Sequence, residues 1–69
     1  MKIYEITADG ARAARNIHNP SSGAYRVLNY LAKVGKATTE QVQNGTRLDD
    51  VDLRVSLSAL RKNNLIVRG

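Results

Sequence analysis

The residues best equipped for chemistry lie between positions 36 and 68, and most of them are hydrogen-bond donors. Arg54, Arg61 and Lys62 fall at helical spacing, Arg47 and Arg68 stand on either side of them, and Lys36, Thr38 and Thr39 lie upstream. Guanidinium and ammonium groups suit phosphate oxygens, and a guanidinium also fits the acceptor edge of guanine. Val51, Val55 and Ser58 are interleaved with these cations. A valine can touch a thymine methyl, and a serine hydroxyl can bond a base or a phosphate. Asp49, Asp50 and Asp52 precede the run. Carboxylates there complement the dipole and unpaired N–H groups of a helix start. They also repel phosphates, unless one of them accepts from a cytosine amine.

Catalytic chemistry finds little to work with. The chain has no cysteine, and its only histidine, His18, sits in the breaker cluster His18-Asn19-Pro20-Ser21-Ser22-Gly23. No motif holds a nucleophile beside a base, and no glycine-rich phosphate loop is present. Asp49-Asp50-x-Asp52 lacks the glycine turn and distal glutamate of a calcium loop. A non-catalytic chain without metal or cofactor is expected.

The 69 residues carry 11 Lys and Arg against 6 Asp and Glu, a net charge of +5. A small basic surface favours a polyanion, most often nucleic acid. The charge is unevenly placed. Residues 24–36 hold Arg26, Lys33 and Lys36 with no acid, and residues 54–69 hold Arg54, Arg61, Lys62 and Arg68 with none. Between them, Arg47 faces four acids, Glu40, Asp49, Asp50 and Asp52. No apolar run approaches the ~18 residues of a membrane span, and the N-terminus does not read as a signal peptide. A cytoplasmic chain with no membrane partner is expected.

These side chains need elements to hold them. Lys2–Thr7 alternates like a strand, with Tyr4 and Ile6 on one face. Thr7 can cap a helix over Ala8–Ile17, which Gly10 weakens. Ala24, Val27, Leu28, Leu31 and Val34 give a helix over Ala24–Val34, capped by Ser21 or Ser22 and ended by Gly35. Thr38 with Gln41 forms a capping-box pattern for a short helix ending near Asn44-Gly45. Asp49 or Asp50 caps a longer helix running to Lys62, and Asn63-Asn64 stops it before a strand over Leu65–Arg68. In that longer helix Leu53, Leu57 and Leu60 lie within about 60° of arc. Val51, Val55, Ser58 and Lys62 face the opposite way, at about 140–200°, with Arg54 and Arg61 flanking them at about 80–100°. Tyr25 and Tyr30 suit the edge of a core or a dimer seam.

With the elements in this order, the chain resembles the winged-helix superfamily of DNA-binding domains, particularly MarR- and PadR-like regulators. The matching residues are Val27-Leu28-x-x-Leu31, Thr38-Thr39-Glu40-Gln41-Val42, Leu48-Asp49 and Leu53-(x)6-Leu60-Arg61-Lys62-Asn63-Asn64-Leu65-Ile66. Asn64 stands where those families usually have glycine. A second segment, Tyr4-Glu5-Ile6-Thr7-Ala8-Asp9-Gly10, resembles the wing strand that ordinarily follows the recognition helix, but here it comes first. It is expected to occupy the same sheet position, pairing with Leu65–Arg68 of its own chain or of a partner subunit. Only Gly69 follows that strand in the sequence, so a reduced wing is expected.

The expected fold is thus a single domain over 1–69, mostly α with a small β-sheet (α+β), of winged helix-turn-helix type. The expected function is double-stranded DNA binding by a small transcriptional regulator that inserts the helix 50–62 into the major groove. Arg54 is the candidate base reader, with Val51, Val55 and Ser58 beside it. Lys36, Thr38, Thr39, Arg47, Arg61, Lys62 and Arg68 are the candidate phosphate contacts, with Thr38 and Thr39 using backbone N–H groups at a helix start. An operator is typically read by two such helices, so a homodimer is expected, with Tyr4–Ile6, the N-terminal helix or the first long helix as candidate seams. The alternative is a module that binds a protein partner through the Val51/Val55 face.

Overall fold

The computed structural model describes residues 2–16 and 23–69, which form strand β1 (Ile3–Ile6), helix α1 (Ala8–Arg15), helix α2 (Gly23–Val34), strand β2 (Lys36–Thr38), helix α3 (Thr39–Thr46), helix α4 (Asp50–Lys62) and strand β3 (Ile66–Arg68). The chain is mostly helical with one small antiparallel sheet, the α+β class expected. Among the described residues, no helix is long and apolar enough to cross a membrane.

The sheet has the order β2-β1-β3. Tyr4 pairs with Ala37 on one side and Arg68 on the other, and Glu5 pairs with Lys36 and Val67. The expected pairing of the first and last strands therefore occurs, and it occurs within one chain. β2 was not expected. Its three residues contain one buried apolar side chain, Ala37, so no alternation marks them as a strand. With β2 and β3 on its two sides, β1 has both edges paired. Tyr4 is buried within its own chain.

The helices form where their caps and apolar spacing require. Thr7 caps α1, its hydroxyl accepting from the Gly10 N–H at 3.0 Å. The helix ends at Arg15 with Asn16 as its C-cap; Ile17 and the expected caps Ser21 and Ser22 lie outside the described residues, as does His18. In α2, Val27, Leu28 and Leu31 are fully buried, and Gly35, at φ 84, ends the helix through its N–H to the Leu31 carbonyl. α3 runs past Asn44-Gly45 to Thr46, whose hydroxyl donates to the Val42 carbonyl at 2.7 Å. Arg47 then turns the chain at φ 60. Asp49 caps α4 by accepting from the Asp52 N–H at 2.7 Å. At the other end of α4, Asn64 takes the left-handed conformation at φ 59, where the resembling families place glycine.

One core unites these pieces. Tyr4 and Ile66 from the sheet meet Val27, Leu28 and Leu31 of α2, Val42 of α3 and Leu53, Leu57 and Leu60 of α4. Two glycines permit the close approaches. A Cβ on Gly10 would stand 2.0 Å from the Leu65 carbonyl oxygen, so α1 packs on the backbone that leads into β3. A Cβ on Gly45 would meet the Tyr30 ring at 2.2 Å, so the ring lies directly against α3. Gly10, a weak residue for an isolated helix, is thus needed where α1 docks.

Candidate nucleic-acid interface

α4 carries most of the expected site, and its two faces differ as the spacing predicts. Leu53, Leu57 and Leu60 are buried, joined by Ser56, which the apolar pattern does not mark. Ser56 is small because the first residue of α2 lies above it: a Cβ on Gly23 would sit 3.0 Å from the Ser56 hydroxyl. Val51, Arg54, Val55, Ser58, Arg61 and Lys62 are all exposed. Val51 and Val55 retain 69% and 63% of their accessible surface, which puts two bare aliphatic side chains on the outward face. Arg61 and Lys62 complete the last turn, where cations also complement the helix dipole.

The acidic start of the helix has structural duties. Asp49 is the cap, and Asp50 accepts from the Gln43 side-chain amide at 2.6 Å, tying α4 to α3. Asp52 is exposed and lines a cleft between α2 and α4 together with Arg26 and Val55. Among the described residues, no group of three acidic or imidazole side chains converges to hold a metal ion.

The backbone donors at the start of α3 have partners within the chain. The Thr38 hydroxyl accepts from the Gln41 N–H at 3.1 Å, and the Gln41 side-chain oxygen accepts from the Thr38 N–H at 3.0 Å. The Thr39 N–H donates to the Lys2 carbonyl at 3.1 Å. These backbone donors are already bonded within the chain, so a phosphate would have to displace a capping box and a strand contact to reach them. The Thr39 hydroxyl oxygen is buried without a hydrogen-bond partner. It lies beside a cleft lined by Lys2, Gln43, Asp50 and Arg54. Lys36 remains exposed on β2, opposite Glu5, and Arg68 is exposed on β3.

Arg47 is exposed at the turn, beside Tyr30, Arg26 and Lys33 of α2. Of these, Arg26 and Lys33 were noted in the sequence only as part of an acid-free stretch, because their convergence with Arg47 depends on how α2 crosses α3. Tyr30 is partly buried against the core, consistent with its expected place at the core edge. The chain matches no protein-family model, no curated protein and no solved structure.

Proposed function

We propose that this chain is a non-catalytic double-stranded DNA-binding protein, a small regulator of winged helix-turn-helix type that inserts α4 into the major groove. The observation carrying this reading is the division of α4 into a buried leucine stripe and an exposed face edged by Arg54, Arg61 and Lys62. Thirteen residues make a rod of about 20 Å, long enough to lie in a groove about 12 Å wide. Further support comes from the order α2, α3, α4, β3, and from β1 lying beside β3, where a winged helix has its wing strand.

In this reading Arg54 reads guanine, Val51 and Val55 touch thymine methyls, and Ser58 bonds a base or phosphate. Arg61, Lys62, Arg47, Lys36 and Arg68 hold phosphates. Two copies bind one operator as a homodimer. Fluorescence anisotropy against duplex DNA over a range of salt tests the reading. Log K should fall steeply with log salt, and a flat dependence would remove it. Arg54→Ala should relax sequence preference, whereas Lys62→Ala should weaken all sequences alike. Equal effects on all sequences would remove Arg54 as the base reader.

A second reading rests on Val51 and Val55, whose exposure beside three carboxylates also suits a protein partner with an apolar, basic surface. It predicts that Val51→Ser with Val55→Ser abolishes partner capture while leaving the weak salt-dependent affinity for DNA intact.

A further inference from the structure

Arg26, Asn29, Tyr30 and Lys33 lie at i, i+3, i+4 and i+7 and therefore share one side of α2. Gly45 and Arg47 stand across from them and close a groove of about 400 Å³. Among the described residues no acid lines this groove, and the one ion pair, Arg12 with Asp9, lies on α1. Its floor is fixed, because Tyr30 packs directly on Gly45.

Arg47 supplies an independent observation. It sits at φ 60, a conformation that favours glycine and strains other residues. That conformation is the C-cap of α3, with the Arg47 N–H donating to the Gln43 carbonyl at 2.8 Å, and it fixes the Arg47 backbone at the rim of the groove. Arg26 and Lys33 are separated by seven residues, about 10 Å along the helix. Arginine and lysine side chains that far apart can reach neighbouring phosphates of one strand, each of which carries a negative charge. Arg26 also lines the neighbouring cleft with Asp52 and Val55, so the groove borders the flank of α4 that lies opposite Arg54 and Arg61.

We propose that this groove seats the flanking phosphodiester backbone of the duplex read by α4, with Arg26, Lys33 and Arg47 holding successive phosphates. The proposal rests on the DNA reading of α4. Three cations around an acid-free groove with a fixed aromatic floor match the unbroken negative charge of a phosphodiester backbone.

Anisotropy with labelled duplexes of about one and about two helical turns tests it, using the wild type, Arg26→Gln with Lys33→Gln, and Arg47→Gly. On the longer duplex each neutralised contact should lower the magnitude of the log K against log salt slope by about 0.9. On the shorter duplex the variants should match the wild type. Arg47→Gly should also raise the melting temperature by relieving the backbone, and a more stable protein that binds more weakly is an outcome a structural role would not give. Unchanged slopes on the longer duplex would overturn the proposal, even where Arg54→Ala confirms the α4 reading. Weakening by the groove variants alone, with Arg54→Ala and Lys62→Ala inert, would overturn the proposal together with the α4 reading on which it rests. Groove-dependent binding of polyglutamate without duplex binding, or no binding to either, would overturn the proposal.

Discussion

Thr7 and Leu65, 58 positions apart, are joined twice: the Thr7 N–H donates to the Leu65 carbonyl at 3.1 Å, and the Thr7 hydroxyl reaches the same oxygen at 3.0 Å. The hydroxyl also lies 2.8 Å from the Asn64 carbonyl and accepts from the Gly10 N–H at 3.0 Å. One side chain thereby caps α1 and fastens it to the end of α4. Thr7→Val keeps the shape and removes the hydroxyl, leaving the Gly10 N–H unpaired. We expect a loss of about 1–2 kcal/mol. In thermal denaturation that is a fall of roughly 4–8 °C per kcal/mol for a domain this small, and Thr7→Ser should recover most of it.

Gly10→Ala should destabilise, although alanine is better by about 1 kcal/mol in an exposed helix. The added carbon would fall 2.0 Å from the Leu65 oxygen, a backbone atom that already accepts from Thr7. Urea unfolding should give a midpoint below that of the wild type. A higher midpoint would mean that α1 does not dock on residue 65.

Asn64 turns the chain out of α4 at φ 59. A β-branched side chain fits that conformation poorly, so Asn64→Val should cost about 1–2 kcal/mol. Asn64→Gly should match or exceed the wild type by a few tenths of a kcal/mol. The ordering of the three proteins by urea midpoint is the check, and Val equal to Gly would contradict the turn.

Asp52→Asn removes a carboxylate from the end of α4 that enters the groove in the proposed complex, while leaving the Asp49 cap and the Asp50–Gln43 bond in place. Duplex affinity should rise severalfold at low salt, and the gain should shrink as screening grows. Stability should fall by about 0.3–1 kcal/mol through the weakened dipole interaction. A lower affinity at every salt concentration would point to Asp52 as a cytosine contact instead.

What the residues disclosed and what they hid follow from range. α4 was legible because Leu53, Leu57 and Leu60 repeat at helical spacing between an aspartate cap and an asparagine stop, all local signals. β1 was legible because Tyr4 and Ile6 alternate with exposed neighbours. β2 was not, since Ala37 becomes a strand residue only by lying opposite Tyr4. The donors at the start of α3 looked available in sequence, yet the Lys2 carbonyl that takes the Thr39 N–H lies far away in the chain. The groove beside Arg47 was hidden for the same reason. Its cations come from α2 and from the end of α3, and the packing of α2 on α3, with Tyr30 against Gly45, brings them together.

The central place of β1 also carries a kinetic consequence. Its pairing with β2 closes a loop of roughly thirty residues, and its pairing with β3 one of roughly sixty. Each doubling of loop length adds about 0.6 kcal/mol of closure entropy, so β1–β2 is the cheaper ladder to form first. During synthesis residues 3–6 leave the ribosome ahead of everything they will pair with. They wait as an unpaired strand until β2 emerges, and retain one open edge until residues 66–68 arrive. The two ladders of β1 are thus long-range pairings in a helical chain, and the interval before β3 docks is when a second copy can pair with that edge.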